Sequence, residues 1–484
     1  MSLSIALSSA LSGLNVSARA TQVVSDNIAN AQTEGYGVRS LSQAARVTGS
    51  QGNGVMATGI QRDMDPVLLS DLRNATADNA QDKVFSGFWS RIEAAFGMPD
   101  EPGGLSNLID ALGVTLQNAA AQPESEALLS QVSRAAADIS RSIGGIHDTI
   151  QAQRAQADST IARDVDFLNQ TLAGIADLNN QIQRQVLLGG APENLVDARQ
   201  KMINDISEIV SVQEIPRDHG RIMLMGRDGS VLVDKTASQF EFTSSPNLDA
   251  ADSIENGALS SVKLNGRDLS QDSQLFSTGR IGASLEIRDK AAPDIQKKLD
   301  DMAYDLVARF GQPDLDPSLS PGSFGLFSLE GLSSLPTDKI GVSGRIALNP
   351  QVDPSKDGAL WRLRNGMGLM SEPTGMVADN ALLSRKLQML NTTAPLSDGS
   401  SVARSVSMHA SDALSMVATN RLAADQRNAT NTARVAILSE DLAARGVDTD
   451  AELSKLLVLE QAYAANAKVI AAVDAMWRTM LEAM

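Results

Sequence analysis

Two helical seams at opposite extremes of the chain constrain its fold more than any other feature. Leu3, Leu7, Ala10, Leu14, Ser17, Thr21, Val24, Ile28 and Ala31 follow one another in alternating steps of four and three. That is a 3.5-residue repeat, the mark of a supercoiling helix. Between Met1 and Thr33 only Arg19 and Asp26 are charged. A helix with one face in water usually carries more charge on that face, so this one is expected to be covered on several sides. Near the other end, Leu459, Ala462, Asn466, Val469, Val473, Met476, Met480 and Ala483 keep the same spacing. Asn466 is the one polar member, and a buried Asn fixes register at some cost in stability. Either seam alone reads as an ordinary core-facing helix. Termini fray unless something ties them down, so the two ends are expected to pair with each other.

Between them, a helical pattern runs from Val132 through Ala136, Ile139, Ile143, Ile146, Ile150, Gln153 and Ala157, then from Ile161 to Val186. The step from Ala157 to Ile161 is four where three is due, which shifts the phase of the seam. Gly144 and Gly145 should weaken the helix locally. A second long helix is expected over Val402 to Arg445. Arg421, Asn428 and Asn431 are polar members of its stripe, so that stretch is expected to be solvated or to meet a neighbour. From Val212 the pattern turns to β, with hairpin turns at Asp228-Gly229 and Asn265-Gly266. A helix restarts near Pro293, Gly311 to Pro321 reads as loop, and strand-like pieces return near Ile340 to Leu348.

The expected fold is mainly α with a β-rich inserted domain. Its parts are paired N- and C-terminal coiled-coil helices, an elongated helical bundle and an outer β domain. The boundaries are 1–36 and 450–484 for the terminal helices, 37–211, 280–312 and 370–449 for the bundle, and 212–279 and 313–369 for the β insert. The insert is expected to project outward and to be dispensable for the chain's function, because the helical segments on either side of it can form their own bundle.

The formal net charge of −17 argues against nucleic acid or an anionic membrane as partner. Cys is absent, which removes disulfides, thiolate nucleophiles and Cys-ligated metals. His147, His219 and His409 are too scattered for a local metal cluster, and no cofactor is expected. The Met1 to Ala20 stretch lacks the basic start and unbroken apolar run of a cleaved secretory signal, and no run looks long enough to span a bilayer. Gly52-Asn53-Gly54 with Gly59 has the wrong spacing for a phosphate loop. Asp164 with Asp166, and Asp300 with Asp301, read as solvated helix faces. No nucleophile, base and oxyanion donor assemble in the sequence, so the chain is not expected to be an enzyme.

Ser25-Asp-Asn-Ile-Ala-Asn-Ala-Gln-Thr-Glu-Gly-Tyr36 resembles the N-terminal signature of the flagellar axial proteins, the family of rod, hook and hook-associated proteins. The family's A-N-x-x-T-x-G-Y pattern falls on Ala29, Asn30, Thr33, Gly35 and Tyr36. Glu460-Gln-Ala-Tyr-Ala-Ala-Asn-Ala-Lys-Val-Ile470 is similar to the matching C-terminal signature, with Glu460 in place of its first Gln. The stretches from Leu188 to Lys201 and from Gly279 to Asp289 resemble the hook-associated members. In physical terms Asn30 can leave the helix in a turn and Gly35 can take positive φ.

The resemblance implies a structural adaptor at the junction of hook and filament, needed for filament assembly. The nearest alternatives are the second junction protein or a hook protein. A different class would be a secreted enzyme or binding domain carried on an axial scaffold. The implied partners are like subunits in a ring, the hook protein, the second hook-associated junction protein, the flagellar export apparatus and an export chaperone. The implied location is the extracellular flagellum, reached without a cleaved signal and without membrane insertion. Packing of the assembly is expected to rest on Leu3, Leu7, Leu14, Val24, Ile28, Asn30, Thr33, Gly35 and Tyr36 at one end. At the other it is expected to rest on Leu459, Tyr463, Asn466, Val469, Val473, Met476 and Met480.

Overall fold

The computed structural model describes residues 3–33, 35–48, 51–98, 101–269, 273–394 and 403–483. Met1, Glu34, Val402 and Met484, which figure in the sequence reading, lie outside the described residues. The chain begins with helix α1 (Leu3–Ala29), strands β1 (Val38–Thr48) and β2 (Gln51–Asp63), and helices α2 (Pro66–Phe96), α3 (Leu105–Ala121), α4 (Glu126–Leu187) and α5 (Glu193–Ser207). Six short strands follow: β3 (Val212–Pro216), β4 (Ile222–Gly226), β5 (Val231–Val233), β6 (Phe240–Glu241), β7 (Lys263–Leu264) and β8 (Arg267–Asp268). Then come α6 (Gly279–Glu286), a π turn (Ile287–Ala291), α7 (Ala292–Phe310), β9 (Phe327–Leu329), β10 (Ile346–Leu348), α8 (Arg362–Asn365), α9 (Ala381–Asn391), α10 (Val406–Ala444) and α11 (Thr449–Glu482).

At 62 residues, α4 is about 93 Å long at 1.5 Å per residue and forms the spine. The expected seam is its buried face, from Val132 to Ile150 and again from Ile161 to Ile182. Gly144 and Gly145 sit inside the helix without breaking it. Where the seam changes phase, Arg154 and Asp158 take the buried positions. The break divides two hydrophobic cores. The first half of α4, with the C-terminal half of α2, α3, α7, α9, α10, β9 and β10, encloses one. The second half, with α5, α6 and β3 to β6, encloses the other.

The single β insert expected over 212–279 and 313–369 is therefore two separate pieces. Strands β3-β4-β5 and β6-β7-β8 form two small sheets on the far half of α4, with the expected turns between β4 and β5 and between β7 and β8. Strands β9 and β10 pair antiparallel against the near half. Sheets of two or three strands need a helix to cover their apolar face, and a helix as long as α4 offers two such places.

The sequence reading also passed over β1 and β2, which pair antiparallel from Val38↔Asp63 to Thr48↔Gln51. Their Ala, Ser and Gly content gives little alternation to mark a strand, and the helical bundle expected from residue 37 onward does not include them. Gly52 and Gly54 belong to this hairpin, not to a phosphate loop. Gly54 has φ +94°, and a Cβ there would collide with Ser12 Oγ, so the hairpin lies tight on α1.

Helix α2 lies within the helical bundle expected over 37–211, though no apolar seam marks it in the sequence. Asp65 caps it by accepting from the backbone N–H of Val67 and Leu68, with Pro66 in the first turn. It runs antiparallel to α10 through a ladder of polar contacts. Arg421 pairs with Glu93 at 2.5 Å and Arg434 with Asp78 at 3.8 Å. Asp82 accepts from Arg427 at 3.1 Å and from Asn431 at 2.7 Å, and Ser86 donates to Asp425 at 2.6 Å. The polar stretch of α10 thus has a partner within the chain.

Candidate assembly interface

Helix α1 is clothed on two sides, by α11 and by the β1–β2 hairpin, which accounts for its scarcity of charge. Its buried stripe is Ala10, Val16, Ser17, Ala20, Val23, Val24 and Asn27. Val24 of the expected seam is buried, whereas Leu3, Leu7, Leu14 and Ile28 are half-buried. A Cβ on Gly13 would stand 2.8 Å from Asn466 Nδ2, so Asn466 marks the register between the two terminal helices.

The clothing of α11 is much thinner. Among its described residues only Glu452 and Val473 are buried. Leu459 and Asn466 are half-buried, and Tyr463, Val469, Met476 and Met480 are exposed, together with Leu453, Leu457, Val458, Trp477 and Leu481. The span Val406–Glu482 holds one window long and apolar enough, by composition, to cross a membrane, and only 6% of it is buried. Exposed apolar surface on this scale marks a face meant to be covered.

The elbow leaving α1 is built around Asn27, which is wholly buried. Its Nδ2 donates to Arg39 O at 2.8 Å and to Glu452 Oε2 at 3.0 Å. Its Oδ1 accepts from Tyr36 Oη at 2.8 Å and from Arg39 N at 3.1 Å. All four hydrogen-bonding positions of the amide are filled, and they join α1, the following turn, β1 and the first turn of α11. Glu452, also buried, completes its bonding with Lys455 at 2.6 Å. Asn30 closes the helix by donating to Asp26 O at 2.9 Å, and Thr33 Oγ1 donates back to Asn30 Oδ1 at 3.2 Å. Gly35 takes φ +79°, and its carbonyl accepts from Arg62 Nη2 at 3.0 Å. The Tyr36 ring lies under the Arg39 guanidinium, 4.7 Å from the centroid. Burial pushes the Tyr36 hydroxyl pKa up, opposed by Arg39.

The structure thus gathers Asn30, Thr33, Gly35 and Tyr36 in one elbow. The sequence reading missed its centre, Asn27, and its distant partner Glu452. The available signal was an Asn in step with Val16, Ala20 and Val23 on the apolar stripe.

Arg39 and Arg62 carry the elbow to the body of the molecule. Arg39 donates to Asn194 on α5 at 2.8 Å and pairs with Asp197. Arg62 Nε stands 2.8 Å from Asp197 Oδ1, close enough for an ion pair but not aligned as a hydrogen bond.

The candidate catalytic groups are structural where the structure describes them. Asp164 and both members of the Asp300/Asp301 pair are buried, not solvated; Asp166 is exposed. Asp164 takes a two-pronged contact from Arg280 at 2.7 and 2.8 Å, and Asp301 pairs with Lys339 at 2.7 Å. Each carboxylate faces a cation from another segment, which neighbouring sequence does not reveal. Asp300 accepts from Ser343 Oγ at 2.6 Å, and His147 Nδ1 lies 3.1 Å from the same oxygen. A Ser-His-Asp relay needs the carboxylate behind the histidine and the hydroxyl open to substrate. Here Asp300 grips the serine, and Ser343 is fully buried. His409 is buried with Nε2 3.4 Å from Ala394 O. A cavity of about 560 Å³ lies between residues 254–277 and α6, lined in part by Asp268, Glu286, Asp289 and Lys290. Asp289 is held by Arg288 and Asp268 by Ser261, and among the described residues no imidazole lines the cavity.

Comparison with known proteins agrees with the terminal motifs. Residues 89–313 match the family model described as flagellar hook-associated protein FlgK helical domain. Residues 7–36 match the flagella basal body rod protein model, and residues 442–483 match the C-terminal model of the flagellar basal body rod FlgEFG proteins. Flagellar hook-associated protein 1 of Salmonella typhimurium is 26% identical over 313 residues, covering 62% of this chain and 55% of the relative. The chain thus spans about half the length of that relative. Flagellar hook-associated protein 1 of Bacillus subtilis is 22% identical over 520 residues, covering 99% of this chain and 98% of the relative. A solved structure, the flagellar hook junction protein FlgK of Burkholderia pseudomallei, overlaps 54% of this chain and 46% of its own, with a TM-score of 0.45 at 17% identity. That overlap is too partial to bear on the fold. The chain is similar to flagellar hook-associated protein 1 at both ends and through its helical body.

Proposed function

We propose that this chain is a structural subunit of the bacterial flagellum and acts as the adaptor between hook and filament. The observation that carries the reading is the asymmetry of the terminal pair. Helix α1 is covered by α11 and the hairpin, while α11 leaves Tyr463, Val469, Met476 and Met480 open along its length. A ring of like subunits would bury those residues by laying α11 against a neighbouring terminal pair, with α1, α11 and the hairpin forming the inner wall. The two cores strung along α4 would stand outside it. Hook protein on one side and the second hook-associated junction protein on the other are the proposed neighbours. Passage through the flagellar export apparatus, with a chaperone shielding the open helix, would bring the chain outside the cell. The mechanism is mechanical, and catalysis has no part in it.

The test uses Tyr463→Asp. Tyr463 is 44% exposed, so the change should leave the free chain folded. A carboxylate brought into a covered interface without a partner costs several kcal/mol. The expected outcome is a folded, exported protein, intact hooks, and filament subunits shed into the medium. Normal filaments in that strain would show that this face of α11 is not packed in the assembly.

A further inference from the structure

Four guanidiniums crowd the region where the hairpin, α2 and α5 meet. Arg39, Arg73 and Arg199 are each more than nine-tenths buried, and Arg62 is 16% exposed. Their counter-ions are two half-buried carboxylates. Asp197 serves Arg39 and Arg62, and Glu214 lies 3.1 Å from Arg73. Asp71, on the pocket wall, is exposed. Counting all three acids, the cluster still holds one uncompensated positive charge, in a chain whose net charge is −17. Arginine does not escape such crowding by losing its proton, and buried charge without a partner is costly.

Two further observations place the excess. Arg199 donates through Nη1 to Asn179 Oδ1 at 2.8 Å and to Gly220 O at 2.9 Å, while its buried Nε has no partner. The buried Nε of Arg39 is also without one. Buried donors left unmade call for a partner that the described side chains do not supply. Arg62, Arg73 and Arg199 also line a cavity of about 550 Å³, walled by Val67, Val212 and Gln213 among others. Burial lowers the pKa of all three, that of Arg199 to about 10, and Arg62 adds to the lowering at Arg73 and Arg199.

We propose that this cavity is an oxyanion site, taking a small carboxylate or phosphate against the guanidinium edges of Arg62 and Arg199, beside Arg73, whose three nitrogens already donate to Asn204, Glu214 and Gln200. Guanidinium forks match both anions. The bound charge would neutralise the cluster and brace the hairpin and α2 against α5. The inference stands on this pocket alone and does not depend on the assembly reading.

The test measures thermal unfolding of the full chain in low-millimolar sodium phosphate, sodium acetate and sodium chloride at equal ionic strength. Wild type should show a saturable rise in midpoint with phosphate or acetate, and none with chloride. Phosphate acting alone assigns a tetrahedral anion, and acetate acting assigns a carboxylate. Arg199→Lys, which removes the fork, and Gln213→Glu, which puts an isosteric carboxylate on the pocket wall, should each lose the rise. Gln213 is exposed, so its variant decides the matter if Arg199→Lys does not fold. Equal effects of all three salts, or a phosphate rise that survives in Gln213→Glu, would overturn the proposal.

Discussion

Asn27 carries four hydrogen bonds on an otherwise apolar stripe, and every partner lies in a different turn, strand or helix. Replacing it by Ala strands the Tyr36 hydroxyl, the Arg39 backbone and one oxygen of the buried Glu452. Each such loss costs about 1–3 kcal/mol, so Asn27→Ala should destabilise the chain by a few kcal/mol. It should also speed protease cleavage between α1 and β1. Unchanged cleavage would mean that the elbow is held by packing alone. Lys386 is a second residue whose effect can be isolated. It is fully buried on α9, with Nζ donating to Leu363 O at 2.8 Å. Burial lowers its pKa from 10.5 to about 8, opposed by Asp316 and assisted by Arg385. Between pH 8 and 10.5 the unfolded chain holds the proton that the folded chain has released, so stability contributed here rises with pH across that window. Relative to Lys386→Met, wild type should gain about 3 kcal/mol between pH 7 and pH 10.5. Urea unfolding of both proteins at the two pH values measures it, and a pH-independent difference would contradict the burial argument.

At the scale of elements, the contact between α2 and α10 adds a ladder of charged and polar pairs to the apolar core that the two helices share. Arg421 is 25% exposed and Glu93 11%, so the pair is shielded enough to matter and wet enough to be tolerated. Arg421→Met leaves Glu93 without its cation, and because the pair is partly wet the loss should be about 1–3 kcal/mol. Adding Glu93→Leu should restore much of that loss. A double-mutant cycle by chemical denaturation reads the coupling, and additive losses would show that the ladder is incidental. The same reasoning separates the residues of α11. Val473 is buried inside the chain, so a charge there would disturb folding and assembly together. A charge at Tyr463 addresses the interface alone.

Over the whole molecule, the far β sheets are half of a core. Leu224, Leu232, Val233 and Phe240 enclose Ile161, Leu168, Leu172 and Ile175 of α4 with Ile203 and Ile206 of α5. Replacing residues 213–278 by a Gly/Ser linker would open that surface to water. The shortened chain should bind a hydrophobic dye and aggregate, contrary to the dispensable insert expected from sequence. A soluble, dye-silent variant would show that α4 and α5 close over the gap by themselves.

The residues by themselves determined the long helices that carry a seam, α1, α4 and α11, because a 3.5-residue apolar repeat has few other ways to bury itself; α2 carries no such repeat and was not marked. Val132 to Ile182 could be read in order, phase shift included, and the chemistry of Asn30, Gly35 and Tyr36 marked where α1 must end. Tight turns at Asp228-Gly229 and Asn265-Gly266 were equally legible, since only a few residue types take positive φ there. Tertiary structure decided the rest. Asn27 meets Glu452 across 425 positions of sequence, and Asp164 meets Arg280 across 116; no local pattern encodes a partner so distant. The β1–β2 hairpin lacks alternation because α1 supplies its apolar neighbour. The β strands fell into two cores because α4 is long enough to offer two separate places for burial.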